Sequence, residues 1–373
     1  MNEDVPVDNG IDVTVPDIPM PTQVEDKTIK DTFNGAFKFA FVGAGQGGSR
    51  LAYAFHQLGY RRVCAINTAQ QDMDNVALPL ANKLLIGGGG AGKDPIKAVQ
   101  AYVEHKEDVL DFMRRSFGPG LDRIFVCVGA GGGTGNGCAL PLVDTCRELM
   151  EALRLVPQVG VIVALPKNSE GRKVCANAYA LLSGLLALSD QGMISPLIIL
   201  DNERIESIYP GLAVDPFWET ANRSVASLFH LFNTIAVQSS HYTSFDQTDY
   251  KTILDSGLIV FGATPVANYS DPAAISYAVR DNLKRNMLAG GIDLSTGSIA
   301  GAIIIGSQKI LASVPQVDLD HAFEQLSRLL KGGNTIHRGI YRGNKDNLVV
   351  YTMLGGLGKP QDRLAELKHL GVV

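Results

Sequence analysis

The sequence predicts a doubly wound α/β fold on a parallel sheet, followed by a long central helix and a second, smaller α+β domain. Three observations lead there. Short apolar runs alternate with segments long enough for crossover helices. Almost every run is followed at once by Gly, Asn, Pro or Asp, the residues that punctuate strands. Three of the runs open into glycine-rich loops, at the strand ends where open α/β sheets bind ligands.

Taken in order, Phe37 to Val42, Val63 to Ile66, Leu84 to Ile86, Ile124 to Val128, Val159 to Leu165 and Leu197 to Leu200 read as buried parallel strands, because they are short apolar runs bounded by turn residues. Asp215-Pro216 then reads as an N-cap followed by proline at the first helical position. Apolar spacing through Trp218, Val225, Phe229, Phe232 and Ala236 carries that helix to about Ser239. The pattern then changes to the strands Leu258 to Phe261, Ala302 to Ile305, Ile336 to Tyr341 and Leu348 to Met353, with helices over Pro272 to Leu288 and Asp318 to Leu330. The resulting division is an arm over 1–35, a first domain over 36–214, the central helix over 215–240 and an α+β domain over 241–373. No internal repeat is visible.

A chain of 373 residues with 46% hydrophobic composition can bury a sizeable core. Its net charge of −5 and the absence of any Lys/Arg-rich run disfavour direct nucleic-acid binding. Cys64, Cys127, Cys138, Cys146 and Cys175 are odd in number, mostly lie in apolar segments and lack metal-ligand spacing, which fits a reducing cytoplasm. No apolar run approaches the length of a membrane span, and the acidic start is unlike a secretory signal. Residues 1–31 carry eight Asp/Glu against two Lys, with Pro6, Pro16, Pro19 and Pro21, and read as a disordered acidic arm that an adaptor could bind.

The most informative stretch is Gly131-Gly132-Gly133-Thr134-Gly135-Asn136-Gly137, between the run Ile124 to Val128 and a helical pattern from Cys138. Glycine has no side chain to hold a ligand off the backbone, so successive N–H groups can converge on an anion at the positive end of the next helix. A packed strand-to-helix turn needs one or two glycines; this loop has five in seven residues. The loop Gly43 to Gly48 contains GxGxxG, but the second strand ends Ile66-Asn67-Thr68 without the ribose-binding acid of a dinucleotide site. The loop Gly87 to Asp94 reads GGGGAGKD, where Asp94 replaces the hydroxyl that a P-loop gives to magnesium and stands as an N-cap before Pro95. Three such loops on one sheet suggest that they surround a polyphosphate.

GGGTGNG resembles the GGGTGSG signature of the tubulin/FtsZ superfamily, and the resemblance runs from about Phe37 to about Leu357. It implies a GTP/GDP site with Mg²⁺, in which Gly45, Gln46, Gly47, Gly48, Asn67, Ala91, Gly92, Lys93 and the whole stretch Gly131, Gly132, Gly133, Thr134, Gly135, Asn136, Gly137 face nucleotide. Glu170, in Leu165 to Gly171, matches the ribose acid, and Asn202 falls where the family reads guanine. Trp218 and Asn222 match the aromatic and Asn that stack on and bond to the base; alternatively, Trp218 is plain core and Asn222 bonds to backbone. Asp246 and Asp249 match the last two acids of the catalytic loop, although an Asp followed three residues on by an acid is also a common helix start.

The predicted central helix is roughly 36 Å long, with Trp218 at one end and the Asp pair past the other. One subunit cannot bring both to one nucleotide, so the expected assembly is a head-to-tail homopolymer with a shared active site. The expected activity is assembly-dependent hydrolysis of GTP to GDP and phosphate in a cytoplasmic filament, serving DNA or phage positioning or cell division. Ser244, Arg50, Val174 and Asp201 depart from the family pattern, and the final strand is followed by only a short segment, without the long linker of division FtsZ proteins. The GQGG loop and the LPK segment are more similar to divergent phage and plasmid tubulins of the TubZ and PhuZ type. Two other readings stay open from the sequence: a non-hydrolysing GTP-binding assembly protein, and a nicotinamide-dependent oxidoreductase using Gly43 to Gly48.

Overall fold

All ten apolar runs become strands of one sheet in the computed structural model, which describes residues 29–208, 214–271, 273–284, 291–330 and 335–372; the side chains of 214–216, 281, 283 and 284 lie outside that description. The strands are β1 Phe39–Ala44, β2 Val63–Asn67, β3 Lys83–Leu85, β4 Arg123–Gly129, β5 Val159–Leu165, β6 Ile194–Asp201, β7 Leu258–Pro265, β8 Ile299–Gly306, β9 Thr335–Arg342 and β10 Leu348–Gly355. Their order is β3-β2-β1-β4-β5-β6-β7-β10-β8-β9. The first six are parallel in the doubly wound order that reverses direction between β1 and β4. The sheet continues through a short parallel pairing of β6 with β7 at Leu197↔Leu258 and Ile198↔Ile259. Beyond it β10 pairs antiparallel with β7 and β8, and β9 is a parallel edge strand beside β8.

The helices are α1 Gly45–Gln57, α2 Gln70–Asp74, α3 Pro95–Glu104, α4 Lys106–Phe117, α5 Thr134–Ala152, α6 Arg172–Asp190, α7 Asn202–Ile208, α8 Val214–Ile235, α9 Gln247–Leu254, α10 Ala274–Lys284, α11 Gln308–Leu311, α12 Gln316–Leu329 and α13 Gln361–Val372. The central helix α8 stops at Ile235, short of the predicted end near Ser239, because a turn follows Ile235. It begins at Val214, so Asp215 and Pro216 stand within its first turn. Residue 272 and residues 285–288 of the predicted helix Pro272 to Leu288 lie outside the description.

Strand β1 and helix α8 share an aromatic core. Phe41 stacks on Phe55 of α1 with centroids 3.9 Å apart, and Phe229 of α8 meets Phe39 and Phe125 edge-on at 5.1 and 5.0 Å. Residues 1–28 of the predicted arm lie outside the description. Its last residues are docked: Thr32 N–H donates to Gly59 O, Asp31 accepts from Arg61 N–H, and Phe33 meets Tyr60 and His230 edge-on. The Phe33 ring supplies the apolar surface for this docking. All five cysteines are buried, and burial pushes each thiol up, Cys138 to about 12.

Helix α13 has no counterpart among the predicted elements. It packs on α6, and its Arg363 is 3% exposed against the 2% exposed Asp201, with Nε 3.1 Å from Asp201 Oδ2. The other Arg363 nitrogens donate to Asn168 Oδ1, Glu366 Oε2 and Pro166 O at 2.5–2.6 Å. Asp201, which replaces a proline of the family pattern, is thus part of a buried ion pair at the end of β6.

Gly48 shows how closely α1 lies on the sheet: a Cβ there would stand 2.1 Å from Cys127 O of β4. A strand carbonyl cannot give way as a side-chain tip can. Gly48→Ala is therefore expected to cost about 3 kcal/mol, read as a lower urea midpoint at unchanged slope.

Candidate functional site

The three glycine loops meet backbone to backbone at the carboxyl ends of β1, β3 and β4. Gly45 has φ +69°, and a Cβ there would lie 2.7 Å from Gly135 N; one on Gly133 would lie 2.6 Å from Ala91 Cβ. Thr134 Oγ1 is 2.6 Å from Thr68 Oγ1, joining the loop after β2 to the loop after β4. Asn177 of α6 donates to Lys93 O and Gly131 O at 3.2 Å, closing the ring from the other side.

These loops enclose a cavity of about 480 Å³ whose wall includes Gly45, Gln46, Gly47, Ala91, Gly92, Lys93, Gly131, Gly132, Gly133, Thr134, Gly135, Glu170, Asn202, Trp218 and Asn222. Four other predicted residues stand behind the wall. Gly48 packs on Cys127 O and Gly137 on Pro95 O. Asn136 donates to Ala130 O and Asn177 O, both at 2.7 Å, and Asn67 Oδ1 accepts Thr68 N–H and Ala69 N–H. These four shape the loops. Asp94 caps α3 by accepting Ile96 N–H at 3.1 Å, as its place before Pro95 predicts.

Two properties of the cavity call for a ligand. Helices α1 and α5 begin at Gly45 and Thr134 with no side-chain cap, so first-turn N–H groups at the positive ends of two helix dipoles are open to an anion. Asn202 is 3% exposed, and its Oδ1 is buried with no hydrogen-bond partner among the described residues. A buried amide oxygen in that state is stabilised by a ligand donor. The wall's cations are Arg50 and Lys93. Its carboxylates are Asp72 and Glu170, and Glu170 already accepts Lys167 N–H at 2.8 Å. Arg50 and Asp72 were absent from the predicted site; Arg50 lies one turn after Gln46 on α1, a spacing that puts both on one helix face.

Asp246 and Asp249 stand elsewhere, past the other end of α8. Trp218 to Ile235 alone spans about 25 Å of helix, and neither aspartate lines the cavity. The pair forms the capping box of α9: Asp246 Oδ1 accepts Thr248 N–H and Asp249 N–H at 2.8 and 2.9 Å, and Asp249 Oδ2 accepts Asp246 N–H at 3.1 Å. The preceding residue is fixed from β9, where the Tyr341 hydroxyl accepts Phe245 N–H and donates to Phe245 O. Burial, with the Asp249 and Asp246 charges, pushes the Tyr341 phenol up to about 12 against the opposing effect of the Phe245 backbone bond, so it stays protonated. Ser244, which replaces an Asn of the family pattern, accepts Ser240 N–H at 3.0 Å.

Fold and cavity together define a doubly wound α/β protein with a glycine-walled site shaped for a phosphorylated ligand. A family model described as "Tubulin like" matches residues 84–285, more than half of the chain, and the chain belongs to that tubulin-like family. It is 23% identical over 248 residues to the tubulin-like protein TubZ of Bacillus cereus, covering 61% of this chain and 55% of the relative. It is 25% identical over 257 residues to cell division protein FtsZ 1 of Pyrococcus furiosus, covering 66% of this chain and 64% of the relative. These alignments span less than two thirds of either relative. In fold it is similar to a GTPγS-form protofilament of Bacillus thuringiensis serovar israelensis TubZ, with TM-score 0.79, 19% identity and coverage of 91% of this chain and 92% of that chain. Among the described residues no helix is long and apolar enough to cross a membrane, and no three His, Cys, Asp or Glu side chains cluster as a metal site.

Proposed function

We propose that this chain binds GTP in the glycine-walled cavity and hydrolyses it to GDP and phosphate only after polymerising head to tail, when Asp246 and Asp249 of one subunit reach the nucleotide of the next. The observation that carries this reading is the separation of two half-sites along α8. The cavity holds the uncapped helix ends and Trp218, while the carboxylates stand beyond Ile235. A contact that matches the two ends of one molecule is heterologous and propagates as a filament. Its role is the positioning of plasmid or phage DNA, or cell division, the latter in keeping with the cell division protein FtsZ 1 that it resembles.

The cavity suits GTP in particular. Asn202 Oδ1 can accept from the N1–H and N2–H edge of guanine, which adenine does not present, and Asn222 with the half-exposed Trp218 can hold the base. A Mg²⁺ ion would be held with the help of Asp72, the wall carboxylate that is not committed to Lys167, and would supply neutralisation of phosphate charge. The aspartates would orient the attacking water. Five buried, raised thiols suit the reducing cytoplasm where a GTP-dependent filament would work. Any adaptor belongs to the acidic arm, and the net charge of −5 again points away from direct DNA contact.

The deciding experiment is the rate of GTP hydrolysis against protein concentration, with Mg²⁺ and with ATP as control. Turnover should be close to nil below a threshold concentration and rise linearly above it, in step with light scattering. A rate per subunit independent of concentration would refute the shared site, and filaments that bind GTP without releasing phosphate would select the non-hydrolysing alternative. Tight NAD(H) binding without GTP binding would revive the oxidoreductase.

A further inference from the structure

We infer that His337 is a positioning residue for Asp249, an inference that rests on the hydrolytic reading above. His337 lies on the edge strand β9 in register with Gly301 of β8, far in sequence from α9. Its Nδ1 is 2.5 Å from Asp249 Oδ1, and the two side chains are 17% and 21% exposed. Asp249 Oδ2 already accepts Asp246 N–H, so the two contacts hold both carboxylate oxygens. A carboxylate held at one oxygen can still turn about its last torsion, whereas one held at both has a fixed plane and a fixed set of free lone pairs. That pre-organisation is what a group must have if it is to meet a water in a neighbouring subunit.

The imidazole is suited to holding and unsuited to proton transfer. His337 Nε2 is buried and has no hydrogen-bond partner among the described residues, and the Phe245 ring stands edge-on with its centroid 6.4 Å away. The nitrogen that would have to take a proton from water is therefore walled off. Near the pair stand the Asp246 carboxylate and, from β9, the Tyr341 phenol, which is occupied with the Phe245 backbone. Nδ1–H is thus left as the donor for Asp249 Oδ1. His337 falls outside the motif alignment because its partner is 88 positions away and only the pairing of β9 brings it near.

The test compares full-length His337→Phe, which keeps a ring without a donor, and His337→Asn, which places an amide N–H near the position of Nδ1. Turnover per filament subunit should fall about 10-fold in His337→Phe and return to within about 3-fold of wild type in His337→Asn. Nucleotide affinity and the assembly threshold should stay unchanged in both. In an Asp249→Ala background His337→Phe should cost nothing further. A structural tie between β9 and α9 would instead shift the threshold and would not be rescued by Asn. Wild-type turnover in His337→Phe, alongside slow turnover in Asp249→Ala, would overturn this inference and leave the shared site standing. Absence of hydrolysis in the wild-type chain would remove both. If His337→Phe does not fold, the ¹⁵N resonances of His337 decide: Nδ1 should be protonated in the wild type and lose that signature in Asp249→Ala, and an unchanged tautomer would overturn the contact.

Discussion

Asp249→Ala is expected to lower GTP turnover at least about 100-fold while leaving nucleotide affinity within about 2-fold of wild type. The cavity wall does not include Asp249, so its removal has no direct route to binding. What is lost is a carboxylate held by both the capping box and His337. Filaments should then assemble with GTP and persist, because the reaction that converts their nucleotide is slow. Mixing gives the sharper result. A 1:1 mixture of Asp249→Ala with Thr134→Val, which is impaired in the cavity, should regain activity at about a quarter of the interfaces, those pairing an intact cavity with an intact aspartate. A mixture as inactive as its parts would show that cavity and aspartate act within one subunit.

The largest effect on stability is expected at Arg363. Arg363→Met leaves Asp201 as a carboxylate at 2% exposure without its guanidinium, and breaking a buried pair from one side costs about 3–5 kcal/mol. Replacing both partners, Asp201→Leu with Arg363→Met, should recover most of that loss, since well-packed apolar side chains replace buried ion pairs at little net cost. Urea unfolding of the single and double variants measures the difference. The single variant should also bind nucleotide more weakly: Arg363 holds Pro166 O and Asn168, and the same loop carries Glu170 to the cavity wall. Equal destabilisation in the two variants would mean that the pair has no special electrostatic role.

What the sequence revealed follows from the range of the forces involved. The strands were legible because most of them are buried apolar runs, and the loops because glycine marks where backbones touch. Asp94 and the Asp246–Asp249 pair were legible because a cap is set by neighbours within three residues. The continuity of the sheet through β6 and β7 was not, since it rests on two residue pairs some sixty positions apart. Helix α13 was missed because Arg363 reads as a solvent-facing charge until Asp201 and the Pro166 carbonyl are brought to it. Asn67, Asn136, Gly48 and Gly137 look from the motif like ligand contacts; in the fold they brace the loops that line the cavity. Asp249 was singled out by its resemblance to the family's catalytic loop, while the contact of His337 with it is one that only the tertiary structure reveals.

The burial of every cysteine has a practical consequence. With all five thiols enclosed and held protonated by their surroundings, the native surface presents no ready nucleophile to a maleimide dye. A single substitution at an exposed position such as Val156, 71% exposed in the turn after α5, would create one reactive handle per subunit on an otherwise silent background. The proposed head-to-tail assembly could then be followed by fluorescence microscopy without first removing the native cysteines.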